Sequence, residues 1–346
     1  MKRILLIVFL LTTTLLPACS PKGPVTLTVM THDSFAASES VITAFEQANN
    51  VKVVFLKSGD AGAALNKAIL SKDAPLADVF YGVDNTFLSR ALDAGIYEPY
   101  VSPLLAKIPA EFQFDPQNRA LPVDYGDICV NYDKAYFAAY NLPVPTSLED
   151  LIKPEYNGLL VVENPATSSP GLAFLLATVA HFGETSYLDY WRSLRANGVV
   201  VVDGWETAYY TNFSASSGHG PQPLVVTYGS SPAAEVIYAS SPLTDAPTAS
   251  ILGPDTCFRQ IEFVGILKGT RHLDLAQKFV DFMLSQQFQE DIPLQMFMYP
   301  VNTDASLPQE FTQYAQTAPQ PATLDPTVIA ANRDQWIADW TAAVLH

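Results

Sequence analysis

The chain has 346 residues, with 35 Asp and Glu against 19 Lys and Arg, a formal net charge of −16. Basic residues this few and this dispersed exclude a nucleic-acid partner, because phosphate binding needs clustered Lys and Arg. The length suits two packed domains of ordinary size, and the 26 prolines mark many turns without forming a low-complexity tract.

The chain begins with Lys2 and Arg3, an apolar run from Ile4 through Leu16, and Cys19. That pattern is a secretory signal, too short and wrongly flanked for a membrane span. Leu16-Pro17-Ala18-Cys19 resembles a bacterial lipoprotein box, which implies cleavage after residue 18 and acylation of Cys19; plain secretion with cleavage nearby is the alternative. On either reading the mature chain works outside the cytoplasm. Residues 1–18 are then the signal and 19–26 a tether, and loss of Lys2 and Arg3 moves the net charge to −18 across the remaining 328 residues. Two further cysteines, Cys129 and Cys257, can bridge in an oxidising compartment or stay as buried thiols, since spacing alone does not place them together.

The first strand-like run is Leu27 to Met30, followed by an amphipathic helix from Ser38 to Asn49 and a strand from Val51 to Leu56. A helix over Ala61 to Ser71, a strand over Ala77 to Tyr81 entering a turn at Gly82-Val83-Asp84-Asn85, and a helix over Thr86 to Asp93 stopped by Gly95 complete a β-α-β-α-β-α unit. The theme recurs in the middle: strands at Gly158–Val162, Val199–Val202 and Leu224–Tyr228 alternate with helices at Leu172–His181, Ser186–Asn197, Trp205–Phe213 and Pro232–Ala239. Two long extended runs, Pro122 to Tyr132 and Cys257 to Leu267, break the rhythm. They read as crossings between two α/β lobes. The tail adds a helix from Leu273 to Phe288 and another from Pro326 to Leu345.

The expected fold is therefore α/β, a two-lobed clamshell with two crossover strands. Lobe 1 comprises residues 27–124 and 263–305, and lobe 2 comprises 125–262 and 306–346. A ligand would sit where strand ends and helix N-termini of the two lobes face each other.

Seven blocks now stand in order: Thr31-His32-Asp33-Ser34-Phe35, Ala77 to Asn85, Val123-Asp124-Tyr125-Gly126, Thr167 to Leu172, Gly204 to Tyr209, Thr227 to Ala233, and Met298-Tyr299-Pro300-Val301. Together they resemble the thiamine-binding proteins of bacterial ABC importers, with a type II periplasmic-binding-protein fold. The likeness runs from about Leu27 to the last helix. It implies a monomeric, non-enzymatic solute-binding protein that needs no cofactor or metal. Such a protein takes thiamine or a thiamine phosphate and hands it to a membrane permease with its partner ATPase.

Thiamine asks for a flat aromatic slot, hydrogen-bond partners for its aminopyrimidine edge, and π-rich or negative surroundings for its cation. Trp205, opening a helix straight after a strand, is the expected stacking ring, with a core anchor as the alternative. The resemblance places Tyr228 in the pocket and assigns Asp84 to the ligand's cationic or amino group; helix capping by Asp84 or Asn85 is the competing role. Thr167, Ser168 and Ser169 precede an apolar helix and could hold a phosphate, or merely cap it. His32, Asp33, Ser34, Asn85, Tyr125, Ser231 and Phe297 complete the candidate set, with Tyr125 also readable as a packed hinge residue. The chain departs from the family where it has His32 for an aromatic residue, Phe297 for a tryptophan and Ala234 for a second tyrosine, so its pocket is wider or tuned to a related molecule.

Other ligands fit part of this pattern. Polyamines would suit Asp84, Glu206 and aromatic walls. Ferric carriers of the superfamily use two adjacent tyrosines where this chain has Tyr228-Gly229; Tyr209-Tyr210 are adjacent but point about 100° apart on a helix. An enzyme is less supported: the five histidines show no i,i+4 metal pair, and no nucleophile elbow or P-loop is present. Glu290-Asp291 read as a solvated helix end. A purely structural lipoprotein fits poorly with aromatic, acidic and hydroxyl residues gathered at strand ends.

Overall fold

The computed structural model describes residues 24–215 and 219–346, so the signal, Cys19 and most of the tether lie outside the described residues. Strand β1 (Val25–Thr31) starts two residues before the apolar run suggests. It pairs in parallel with β2 (Val51–Lys57) and β3 (Val79–Asp84), and helices α1 (Glu39–Asn49), α2 (Ala61–Leu70) and α3 (Leu88–Ala94) follow these strands in turn. Parallel neighbours require such crossovers, which cover the sheet with helices.

A short β4 (Tyr97–Glu98) leads to the long β5 (Leu121–Asp133), followed by α4 (Lys134–Ala139). Next come β6 (Leu160–Glu163), α5 (Ser169–Phe182), α6 (Tyr187–Ala196), β7 (Val200–Val202), α7 (Trp205–Thr207), β8 (Leu224–Tyr228), α8 (Ser231–Ile237) and β9 (Thr248–Ile251). The second long strand, β10 (Phe258–Leu267), returns antiparallel to β5, and the chain ends with α9 (Leu273–Leu284), α10 (Gln286–Gln295), β11 (Tyr299–Pro300), α11 (Gln309–Tyr314) and α12 (Pro326–Val344). The main strand order is β2-β1-β3-β10-β5-β8-β6-β7. The β2-β1-β3 half and the β8-β6-β7 half are thus joined through the two crossing strands.

Both crossing strands are almost entirely buried. One core packs Val29, Phe45 and Tyr81 against Phe279 and Met283; a larger one gathers Phe174, Trp191, Trp336 and Trp340. Helix α12 also reaches back to α3, where Arg333 donates to the Ser89 hydroxyl at 3.0 Å.

Several expectations change. Gly82, Val83 and Asp84 are not a turn but the end of β3, because Glu262 of β10 pairs opposite Asp84 and holds that segment extended. The tail helix breaks at Ser285, which leaves α9 for α10. Asp291 is buried rather than solvated: it accepts from the backbone N–H of Ser38 at 2.7 Å and from its hydroxyl at 2.5 Å, tying α10 to the start of α1. Cys129 on β5 and Cys257 just before β10 form a disulfide, brought together by the pairing of Ile128 with Phe258.

Candidate functional site

A cavity of about 440 Å³ lies between the halves, at the ends of β1 and β8. On the first half, the loop after β1 supplies His32, Ser34 and Phe35. The His32 ring lies directly over Gly82. A Cβ at Gly82 would sit 2.3 Å from His32 Cδ2, and its φ of +104° belongs to a region L side chains rarely enter. Both constraints demand glycine there.

The β2–α2 turn brings in Asp60. Asp33 shapes this turn, because its carboxylate accepts from Gly59 N–H at 2.8 Å and its own N–H donates to the Gly59 carbonyl at 3.0 Å. Asp60 accepts from Ala61 N–H through Oδ1 at 2.7 Å, the ordinary cap of α2, while Oδ2 accepts from Trp205 N–H at 3.0 Å. That second bond joins the two halves. Beside it, Gly62 N–H donates to the Thr167 carbonyl at 2.9 Å, a close approach with no room for a larger residue, since a Cβ on Gly62 would lie 2.9 Å from the Ala166 oxygen.

The second half contributes an aromatic wall. Trp205 stacks on Tyr209 with centroids 5.0 Å apart and a 15° interplanar angle, and Tyr210 and Tyr228 meet it edge-on. A wide π-helical turn over Ala208–Asn212 follows Trp205, a device common at functional sites, and both tyrosines on it line the cavity. The indole N–H is held by Thr227 Oγ1 at 2.7 Å, and Thr227 in turn contacts Ser231 Oγ at 3.1 Å. The Tyr209 hydroxyl donates to Glu235. Phe297, with a φ of +59°, closes the far side, its carbonyl accepting from the Ser230 hydroxyl.

The charge balance of the lining is one-sided: Asp60, Glu206, Glu235 and Glu262 against Lys57 and, when protonated, His32. Burial pushes the Asp60 carboxyl up. Burial, the largest single influence, also opposes ionisation of Glu262, but His32 together with hydrogen bonding from Tyr81 and Asp124 outweighs it and holds that carboxyl below its usual range.

Of the residues expected from sequence, His32, Ser34, Ser169, Trp205, Tyr228 and Phe297 line this cavity. Asp33 and Thr167 line a smaller neighbouring cleft, and Thr167 Oγ1 donates to the Asp203 carbonyl at 2.7 Å. Ser168 is buried at the start of α5. Ser231 sits one step behind Trp205, through Thr227. Asp84 is fully buried, outside the lining, and accepts from Thr86 Oγ1 at 2.7 Å and from two backbone N–H groups ahead of α3. Its burial, with Glu262 nearby, pushes its carboxyl up to about 7. Asn85 instead stitches β3 to β10, donating to the Arg259 carbonyl and accepting from Ile261 N–H. Tyr125 stacks between Phe112 and Tyr299, with the Arg259 guanidinium 5.2 Å from its ring centre.

The lining also includes Asp60, Glu235 and Glu262, which the sequence motifs do not mark, and Glu206, Tyr209 and Tyr210, which they offer only for the alternative polyamine and iron ligands. For Glu262, the available signal was a polar cluster, Arg259, Gln260 and Glu262, in a crossing strand whose remaining residues are apolar.

The profile of the bacterial extracellular solute-binding protein family matches residues 74–319. The chain is 31% identical over 325 residues to the thiamine-binding periplasmic protein of Salmonella typhimurium, covering 92% of this chain and 93% of that one. It is also 31% identical over 339 residues to the protein of the same name from Brucella suis, covering 95% and 94%. Among solved structures, a periplasmic thiamin binding protein superposes with a TM-score of 0.81 at 29% identity, covering 92% and 96%.

Proposed function

This chain belongs to the bacterial extracellular solute-binding protein family, and we propose that it captures thiamine or its phosphates in the interlobe cavity for an ABC importer. The observation that carries this reading is the pairing of a four-ring wall, Trp205 with Tyr209, Tyr210 and Tyr228, with four lining carboxylates against Lys57 and the titratable His32. A flat cation gains about 0.5–2 kcal/mol from each well-placed ring, more where water is excluded. Carboxylates at the cavity's edge add charge neutralisation and acceptors for the aminopyrimidine. Ser169, at the α5 N-terminus, and Lys57 would receive a phosphate.

In this mechanism the protein samples open and closed forms, and a ligand touching both halves shifts the population toward closed. The closed form docks on the membrane permease, whose ATPase drives import. Lobe 1 (27–124, 263–305) and lobe 2 (125–262, 306–346) are the moving bodies, and acylated Cys19 keeps the monomer at the membrane. The alternative ligand is a polyamine, which would use the carboxylates and leave the stacked rings with less to do.

Titration of the mature chain by tryptophan fluorescence tests the reading. Thiamine should saturate and quench, putrescine and ferric citrate should not, and Trp205→Ala should abolish the quench and weaken thiamine binding at least tenfold. Saturation by ferric ion alone, with a phenolate charge-transfer band, would replace the ligand.

A further inference from the structure

Beneath the cavity, three neighbouring strands carry carboxylates side by side. Glu262 of β10 pairs in register with Asp84 of β3 on one flank and Asp124 of β5 on the other, and all three are buried. The Tyr81 hydroxyl lies 2.6 Å from Asp124 Oδ2 and 2.8 Å from Glu262 Oε2. One O–H proton serves one of these contacts; the other requires a proton on a carboxyl. Burial and the charge of Glu262 place that proton on Asp124, whose carboxyl is held well above its usual range.

Glu262 then remains an anion, and it needs a counter-charge. The other groups around it are Tyr81 and Asp84 on β3, Asp124 on β5 and Tyr228 on β8, and none of them is a cation. Among the described residues its ion pair is with His32, whose Nε2 stands 3.5 Å from Oε1, buried and without a hydrogen bond. Burial by itself would lower the imidazole, but Glu262, with Asp60 and Asp33 behind it, raises it above its ordinary value. His32 and Glu262 both line the cavity, so an arriving cation meets the pair directly.

We propose that a cationic ligand binds by exchange: it takes over from His32 as the counter-charge of Glu262, and the imidazolium releases its proton to solvent. Protonated protein plus cation gives the complex, with neutral His32, plus one H⁺. The idea rests on the cationic-ligand reading above. Its sign is definite. On the acid side of the His32 titration, affinity falls towards tenfold per pH unit; on the alkaline side it is flat.

The test is calorimetric titration of the full mature chain with thiamine between pH 6 and 8.5, in buffers of contrasting ionisation enthalpy. Histidine ring resonances are followed by NMR in the free and saturated protein. The expected result is release approaching one proton per thiamine below the free protein's own His32 titration, declining above it, with the His32 titration moving to lower pH on saturation. His32→Asn should remove the buffer dependence. Thiamine binding with buffer-independent heat and an unmoved His32 titration would overturn the exchange and leave the thiamine reading intact. Absence of any thiamine binding by a folded protein would overturn the thiamine reading itself.

Discussion

Replacing Asp60 with alanine should separate closure from contact. Its carboxylate serves two N–H groups, Ala61 of the helix it caps and Trp205 across the cavity, the contact that the proposed closed form would keep. The first bond survives opening, so it does not bias the equilibrium. The second exists only when the lobes meet. A hydrogen bond to a charged group contributes about 1.5–3 kcal/mol, so its loss from the closed form should weaken thiamine binding about 10- to 150-fold. Asp60→Asn keeps an acceptor oxygen for Trp205 N–H and should lose less, under about tenfold. Fluorescence titration gives the affinities, and small-angle scattering of the ligand-free and saturated proteins reports compaction. Affinity of Asp60→Ala within threefold of wild type, with unchanged compaction, would refute the claim that this bond holds the lobes together.

Three further outcomes follow from the same geometry. Thr227→Val removes the acceptor of the buried Trp205 indole N–H and should cost about 1–3 kcal/mol in urea unfolding, with a shift in tryptophan emission; unchanged stability would mean the indole finds another partner. Gly82→Ala forces a positive-φ backbone and drives a methyl into the His32 ring, so thermal melting and thiamine affinity should fall together; retention of both would show that the ring has room to move. Asp84 keeps its proton up to about pH 7 when folded, against 3.8 as the ordinary value. Its contribution is therefore full below pH 3.8 and drains away as pH rises to about 7. Across that window, unfolding titrations should show wild type losing about 4 kcal/mol relative to Asp84→Asn; parallel pH profiles would refute it.

The alternation of β-branched runs and amphipathic helices made the two-lobed α/β plan readable, because burying one face of each element is a local requirement written in local spacing. The two long crossings stood out for the same reason: Pro122–Tyr132 and Cys257–Leu267 are too long and too apolar for loops. Trp205 was legible because a large ring at a strand-to-helix junction has few places to go. Asp60 was not, since Ser58-Gly59-Asp60 looks like any capped turn, and indeed Asp60 caps α2; its second bond, to a residue 145 positions away, leaves no local trace. Glu262 became a cavity group through a strand register, which sequence does not specify. Asp84 and Glu262 face each other across β3 and β10, and which of two neighbouring carboxylates reaches the cavity is a matter of pleat and side-chain length. Tyr209 and Tyr210 were set aside by regular-helix geometry, and the π turn puts both on the cavity wall.

The Cys129–Cys257 bond has a consequence for how the molecule is made. It ties the two strands that carry the chain between its halves, and 128 positions separate its ends, so most of one half lies inside a covalent ring. Closing a ring of that size removes on the order of 5 kcal/mol of freedom from the unfolded chain in the entropic account. A newly made polypeptide in a reducing cytosol lacks that clamp and stays easier to thread through a translocation channel. Oxidation on the far side then turns arrival into commitment, so the compartment supplies part of the fold.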